Sequence, residues 1–155
     1  MTIAQGEALP DVSLAGADGA KVSLRSFVGK PFVLYFYPKD DTTGCTREAQ
    51  DFSALAPGFA AAGVAVLGVS PDTPAKHAKF AVKYDLTVPL ASDEDHVVMD
   101  AFGVWVEKSM YGRTYMGVER STFLFAADGT LARSWGKVRV AGHAEQVLAA
   151  AKALG

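Results

Sequence analysis

The run Pro31-Phe32-Val33-Leu34-Tyr35-Phe36-Tyr37 constrains this 155-residue chain more than any other segment. Six strand-forming residues follow a proline, too few and too rich in β-branched and aromatic side chains for a buried helix, so the run reads as a central strand. A different period takes over beyond it. Cys45, Ala49, Phe52, Leu55 and Phe59 recur at spacings of four, three, three and four, with Arg47, Glu48 and Asp51 on the opposite face. That spacing predicts an amphipathic helix with Cys45 in its first turn.

The alternation continues along the chain. Asp11–Leu14 and Lys21–Leu24 flank a turn ending in Asp18-Gly19, which predicts an N-terminal β-hairpin. Val64–Val69 reads as a buried strand. It leads into a helix over 75–84, with Thr73 as its N-cap and Pro74 at its first position. Val88–Ala91 reads as a short strand, and 93–102 as a short helix stopped by Gly103. Ser121–Phe125 and Leu131–Trp135 form a second hairpin across Asp128-Gly129, and 143–154 is a closing helix. Strands separated by helices imply an α/β fold, a mixed central sheet with helices on both faces. The expected organisation is one domain over 1–155.

Composition narrows the function classes. Half the residues are hydrophobic, 21 % are charged, and the formal net charge is −2, a balance that favours neither nucleic acid nor an anionic membrane as partner. The N-terminus has no basic region or apolar run, and no stretch approaches 18 apolar residues, so the expected location is cytoplasmic. A single cysteine excludes an internal disulfide framework and a paired-cysteine redox motif.

Cys45 is therefore either a small buried apolar residue or a nucleophile. A helix N-terminus favours an anion, through free backbone N–H groups and a positive macrodipole. Yet a thiol of ordinary acidity, pKa about 8.5, is only about 3 % ionised at pH 7. Lowering that to about 6 needs about 3.4 kcal/mol, more than the 2 kcal/mol or so a helix terminus supplies at best. A second positive group is required. Because nucleophilicity falls with pKa, a fast thiol must also meet donors aimed at the charge developing in the transition state.

Pro38-x-x-x-Thr42-x-x-Cys45 resembles the active-site signature of the peroxiredoxins, thiol peroxidases on a thioredoxin-like fold. Phe36–Asp40, Gly44–Phe52, Gly68–Asp72 and Tyr111–Leu124 resemble, in order, the bacterioferritin-comigratory-protein (PrxQ) branch. The resemblance implies that Cys45 is the peroxidatic cysteine and that Thr42 holds the peroxide through a hydroxyl able to donate and accept. It implies that Arg120 supplies the missing positive charge and polarises the O–O bond. Pro38 would shield the sulfur from water, and Glu48 would orient an arginine. The implied substrates are hydrogen peroxide and organic hydroperoxides, with no cofactor and no metal.

One position departs from the branch. Many members carry a resolving cysteine five residues after the peroxidatic one, where this chain has Gln50. The resemblance then implies a one-cysteine cycle, in which an external thiol (thioredoxin, glutaredoxin or a low-molecular-weight thiol) resolves the sulfenic acid, in a monomer or weak dimer. A rival from another class is a non-enzymatic redox sensor or thiol-dependent binding protein, oxidised once rather than turning over.

Other chemistries find less support in the residues. His77, His96 and His143 lie in three segments without metal-ligand spacing. His143 has no feature selecting it as a base for acyl transfer at Cys45. Trp105, Met110, Tyr111, Tyr115 and Met116 read as core or loop packing rather than a binding surface.

Overall fold

A computed structural model describes residues 3–154. The central strand of the sequence becomes β3, Phe32–Phe36, and every one of its side chains is buried. Before it come β1 (Ser13–Gly16) and β2 (Lys21–Ser23), and a 3-10 turn at Leu24–Phe27. After it come α1 (Thr43–Ala54), α2 (Ala56–Ala61), β4 (Ala65–Ser70), α3 (Pro74–Lys83), β5 (Leu90–Ser92) and α4 (Val97–Ala101). The chain continues through β6 (Trp105–Met110), β7 (Arg113–Val118), β8 (Ser121–Phe125), β9 (Leu131–Trp135) and α5 (His143–Leu154).

Seven strands form one sheet in the order β2-β1-β5-β4-β3-β8-β9. β3 runs parallel to β4 and antiparallel to β8, β4 runs parallel to β5, and the outer pairs are antiparallel, so the sheet is mixed as expected. Alternation along β3 assigns its two faces. Phe32, Leu34 and Phe36 enter a core with Val98 and Met99 of α4 and with Phe102 just after it. Val33, Tyr35 and Tyr37 enter the other with Cys45, Ala49 and Phe52 of α1, Phe80 of α3 and Val147 of α5. Helices thus cover both faces, and Cys45 lies on the more heavily covered one.

Tyr35 shows how close that packing is. Its ring stacks on Phe52 with centroids 4.5 Å apart and fills the space above Gly68, where a Cβ would come within 2.6 Å of the ring. A glycine in β4 is what admits the aromatic ring.

Three expectations need correction. The helix predicted from Cys45 to Phe59 is two helices, broken at Leu55, because Pro57 has no N–H to continue the first and instead occupies the first turn of the second. The helix predicted over 93–102 begins at Val97: Asp93 caps it by accepting from the N–H groups of Val98 and Met99, and His96 takes a left-handed conformation, φ 63°. Of the residues expected in core or loop packing, Trp105 does pack half-buried against the core and Tyr111 stands in a turn, but Met110, Tyr115 and Met116 lie exposed on the strands of the hairpin β6-β7, which is not among the expected elements. No helix among the described residues is long and apolar enough to cross a membrane.

Candidate active site

α1 begins directly above the end of β3. Thr42 is its N-cap, with extended backbone, and its carbonyl accepts from the Thr46 N–H at 2.8 Å. Cys45 follows within the first turn, 2 % exposed, on the face turned toward Tyr35 and Phe52. Its sulfur has a specific partner: Arg120 Nη2 donates to Sγ at 3.2 Å. Arg120 arrives from the residue before β8, the strand paired antiparallel to β3, so the sheet register brings it to the helix terminus.

The same guanidinium is held from its other side. Nη1 donates to Glu48 Oε1 at 2.6 Å, and Glu48 is 1 % exposed: three residues after Cys45 it shares the buried side of α1, not the outer face expected from its charge. Burial alone would disfavour the arginine's charge, but Glu48 and Cys45 outweigh it and hold its pKa above the ordinary value. Glu48 responds the other way. Loss of solvation raises its pKa to about 7, against the opposing pull of Arg120. Gly44 leaves room for the arrangement, since a Cβ there would stand 3.3 Å from Arg120 Nη2.

Cys45, Arg120 and Glu48 therefore form one hydrogen-bonded cluster. Thr42 stands beside it, exposed, and its hydroxyl donates to the Lys39 carbonyl at 2.8 Å. The hydrogen is thereby engaged, so Thr42 offers lone pairs to an incoming group rather than acting as donor and acceptor together. Pro38 is half-buried just past β3 and lies outside the hydrogen-bonded cluster. His143 is no base for the sulfur: its Nε2 pairs with Thr122 Oγ1 at 2.8 Å, and burial followed by the Arg120 charge lowers its pKa to about 4. Gln50 is exposed on α1 and lines a surface cavity of about 500 Å³ with Thr42 and Thr46.

Sequence reasoning missed a second polar cluster behind the loop. Asp40 Oδ1 accepts from the Tyr37 hydroxyl at 2.5 Å, and its Oδ2 lies 2.6 Å from His77 Nδ1, at an angle outside good hydrogen-bond geometry. His77 is completely buried. The signal was present: His77, Phe80 and Tyr84 share one face of α3, at the spacing of a buried stripe.

The match to known proteins agrees with this geometry. Residues 5–134 match the AhpC/TSA family. Peroxiredoxin Bcp of Xanthomonas campestris is 48 % identical over 143 residues, 92 % of this chain and 89 % of that protein. This chain is a peroxiredoxin. Peroxiredoxin Bcp of Bacillus subtilis is 46 % identical over 148 residues, 96 % of this chain and 94 % of that protein. A solved structure of the X. campestris bacterioferritin comigratory protein, studied for its alkyl peroxide reduction activity, superposes with a TM-score of 0.90 at 46 % identity, covering 97 % of this chain and 96 % of that one. The peroxiredoxin thus has the thioredoxin-like fold that its sequence resemblance implies.

Proposed function

We propose that this peroxiredoxin reduces hydrogen peroxide and organic hydroperoxides at Cys45 through a one-cysteine cycle. The observation that carries the assignment is the 3.2 Å bond from Arg120 to the sulfur. The guanidinium donates to the sulfur, and with the α1 terminus it provides the second positive group that a reactive cysteine requires. The thiolate attacks the hydrogen-bearing oxygen of the hydroperoxide, and the O–O bond breaks. Sulfur loses two electrons and becomes sulfenic acid, while the departing alkoxide or hydroxide takes up a proton.

Each neighbour has a part in that step. Thr42 accepts from the peroxide O–H. Arg120 meets the charge developing between sulfur and oxygen, and its planar fork also serves Glu48, which keeps it from rotating away. Pro38 closes the approach without adding a backbone donor.

Resolution follows from the single cysteine. An external thiol attacks the sulfenic sulfur, releasing water and leaving a mixed disulfide, and a second thiol restores Cys45 as the reductant leaves oxidised. Thioredoxin, glutaredoxin and low-molecular-weight thiols all meet that requirement. The exposed cavity at Thr42, Thr46 and Gln50 gives such a thiol a way in.

Intact mass spectrometry of peroxide-treated protein tests the cycle. Without reductant, Cys45 should carry one added oxygen or a disulfide to Cys45 of a second chain, then two added oxygens as the peroxide dose rises. A protein that stays fully active and unmodified at large peroxide excess would overturn the one-cysteine mechanism.

A further inference from the structure

The peptide unit joining Lys39 and Asp40 is held at both ends. Its carbonyl accepts from Thr42 Oγ1 at 2.8 Å, and its N–H donates to Asp72 Oδ2 at 2.7 Å. A peptide group is planar, so these two bonds act on one rigid body. Rotation that takes the N–H away from Asp72 also takes the carbonyl away from Thr42.

Asp72 is itself fixed. It is 8 % exposed, and the oxygen that accepts from Asp40 also accepts from Ser70 Oγ at 2.6 Å. Its own N–H returns to Ser70 Oγ at 3.2 Å, so the carboxylate is locked to the end of β4. Accepting an N–H bond with a carboxylate polarises the peptide and strengthens its carbonyl as an acceptor. The rest of the loop is pinned independently. The Tyr37 hydroxyl holds the Asp40 side chain, while Asp41, in a left-handed conformation at φ 60°, binds Lys83 and Tyr84 of the α3 segment.

We propose that Asp72 is a positioning residue of the peroxide site: acting through the Lys39–Asp40 peptide, it fixes the direction of the Thr42 hydroxyl. The inference rests on the reading of Thr42 as the group that accepts from the peroxide. With its hydrogen committed to Lys39, Thr42 turns lone pairs outward and selects the peroxide oxygen that bears hydrogen, the one transferred to sulfur. With the peptide released, the hydroxyl rotates among its staggered positions and offers a hydrogen part of the time, which presents the peroxide in the wrong polarity.

A double-mutant cycle tests this, with stopped-flow measurement of the second-order rate constant for Cys45 oxidation by hydrogen peroxide. Asp72→Ala should slow the reaction about tenfold, the equivalent of one ordinary hydrogen bond. Asp72→Asn, which keeps an acceptor for the Asp40 N–H, should recover most of that loss. In a Thr42→Val background Asp72→Ala should cost nothing further, an outcome that general destabilisation does not produce. Ser70→Ala provides a second route to the same carboxylate, should Asp72→Ala fail to fold, and its loss should likewise vanish in the Thr42→Val background. Equal losses in both backgrounds overturn the positioning role and leave the peroxidase reading intact. A Thr42→Val protein that reacts at the wild-type rate overturns the role of Thr42 and this inference together, whereas a wild-type chain inert to peroxide removes the peroxidase reading first.

Discussion

Arg120 and Cys45 are 75 residues apart in sequence and 3.2 Å apart in space. The bond depends on two elements meeting: α1 sets the sulfur in its first turn, and the start of β8 delivers the guanidinium. One terminal nitrogen serves the sulfur and the other Glu48, so the geometry needs a planar donor pair. Arg120→Lys should therefore lower the second-order rate constant for peroxide about a hundredfold or more, by analogy with removal of one oxyanion donor. Near wild-type kinetics in that variant would show that the charge alone suffices.

Gly44 separates stability from activity. Replacing a helical glycine by alanine favours the helix by up to about 1 kcal/mol. Here, however, the added Cβ stands 3.3 Å from Arg120 Nη2, the nitrogen bonded to the sulfur. Gly44→Ala should retain or raise the unfolding midpoint in urea while slowing Cys45 oxidation several-fold. Loss of stability with unchanged kinetics would contradict the placement of Arg120.

The buried acid gives a pH dependence with a definite sign. Burial raises the Glu48 pKa from an ordinary 4.5 to about 7 in the folded protein, against the pull of Arg120. Between those values the folded state binds more protons than the unfolded one, so stability falls as pH rises. The contribution is complete below about pH 4.5 and is lost as pH climbs through about 7. Glu48→Gln removes the titrating group and keeps an acceptor for Arg120, so its stability, measured by urea denaturation from pH 5 to 8, should gain on the wild type across that window. Parallel curves would show that Glu48 titrates alike in both states.

Much of this arrangement was legible in the sequence where one local signal dominates. β8, β9 and α5 occupy the residues their periodicity indicates, and Thr73 caps α3 by accepting from the Lys76 N–H. The hairpin β6-β7 escaped notice because its turn breaks the usual pattern: Tyr111 and Gly112 both take positive φ, and an aromatic stands where asparagine or aspartate is the common signal. Its exposed methionines and tyrosines then mimic a core stripe. Position at a strand-to-helix transition made Cys45 a candidate nucleophile only, and its role, like those of the other site residues, came from resemblance. No spacing rule joins Arg120 to Cys45, because that contact is made by strand pairing across the sheet. The direction of the Thr42 hydroxyl was hidden for a similar reason, since it depends on a backbone carbonyl that Asp72 orients from the loop after β4.

Repeated peroxide consumption tests the central claim most directly. Stopped-flow assays with excess hydrogen peroxide and an added thiol should show many turnovers per chain for the wild type, and none above background for Cys45→Ser, whose hydroxyl has almost no ionised form at pH 7. Similar side-chain volume should leave the variant folded, which circular dichroism establishes. Turnover retained in Cys45→Ser, or a single slow oxidation of the wild type with no further consumption, would contradict the assignment of Cys45 as the catalytic sulfur of a peroxidase.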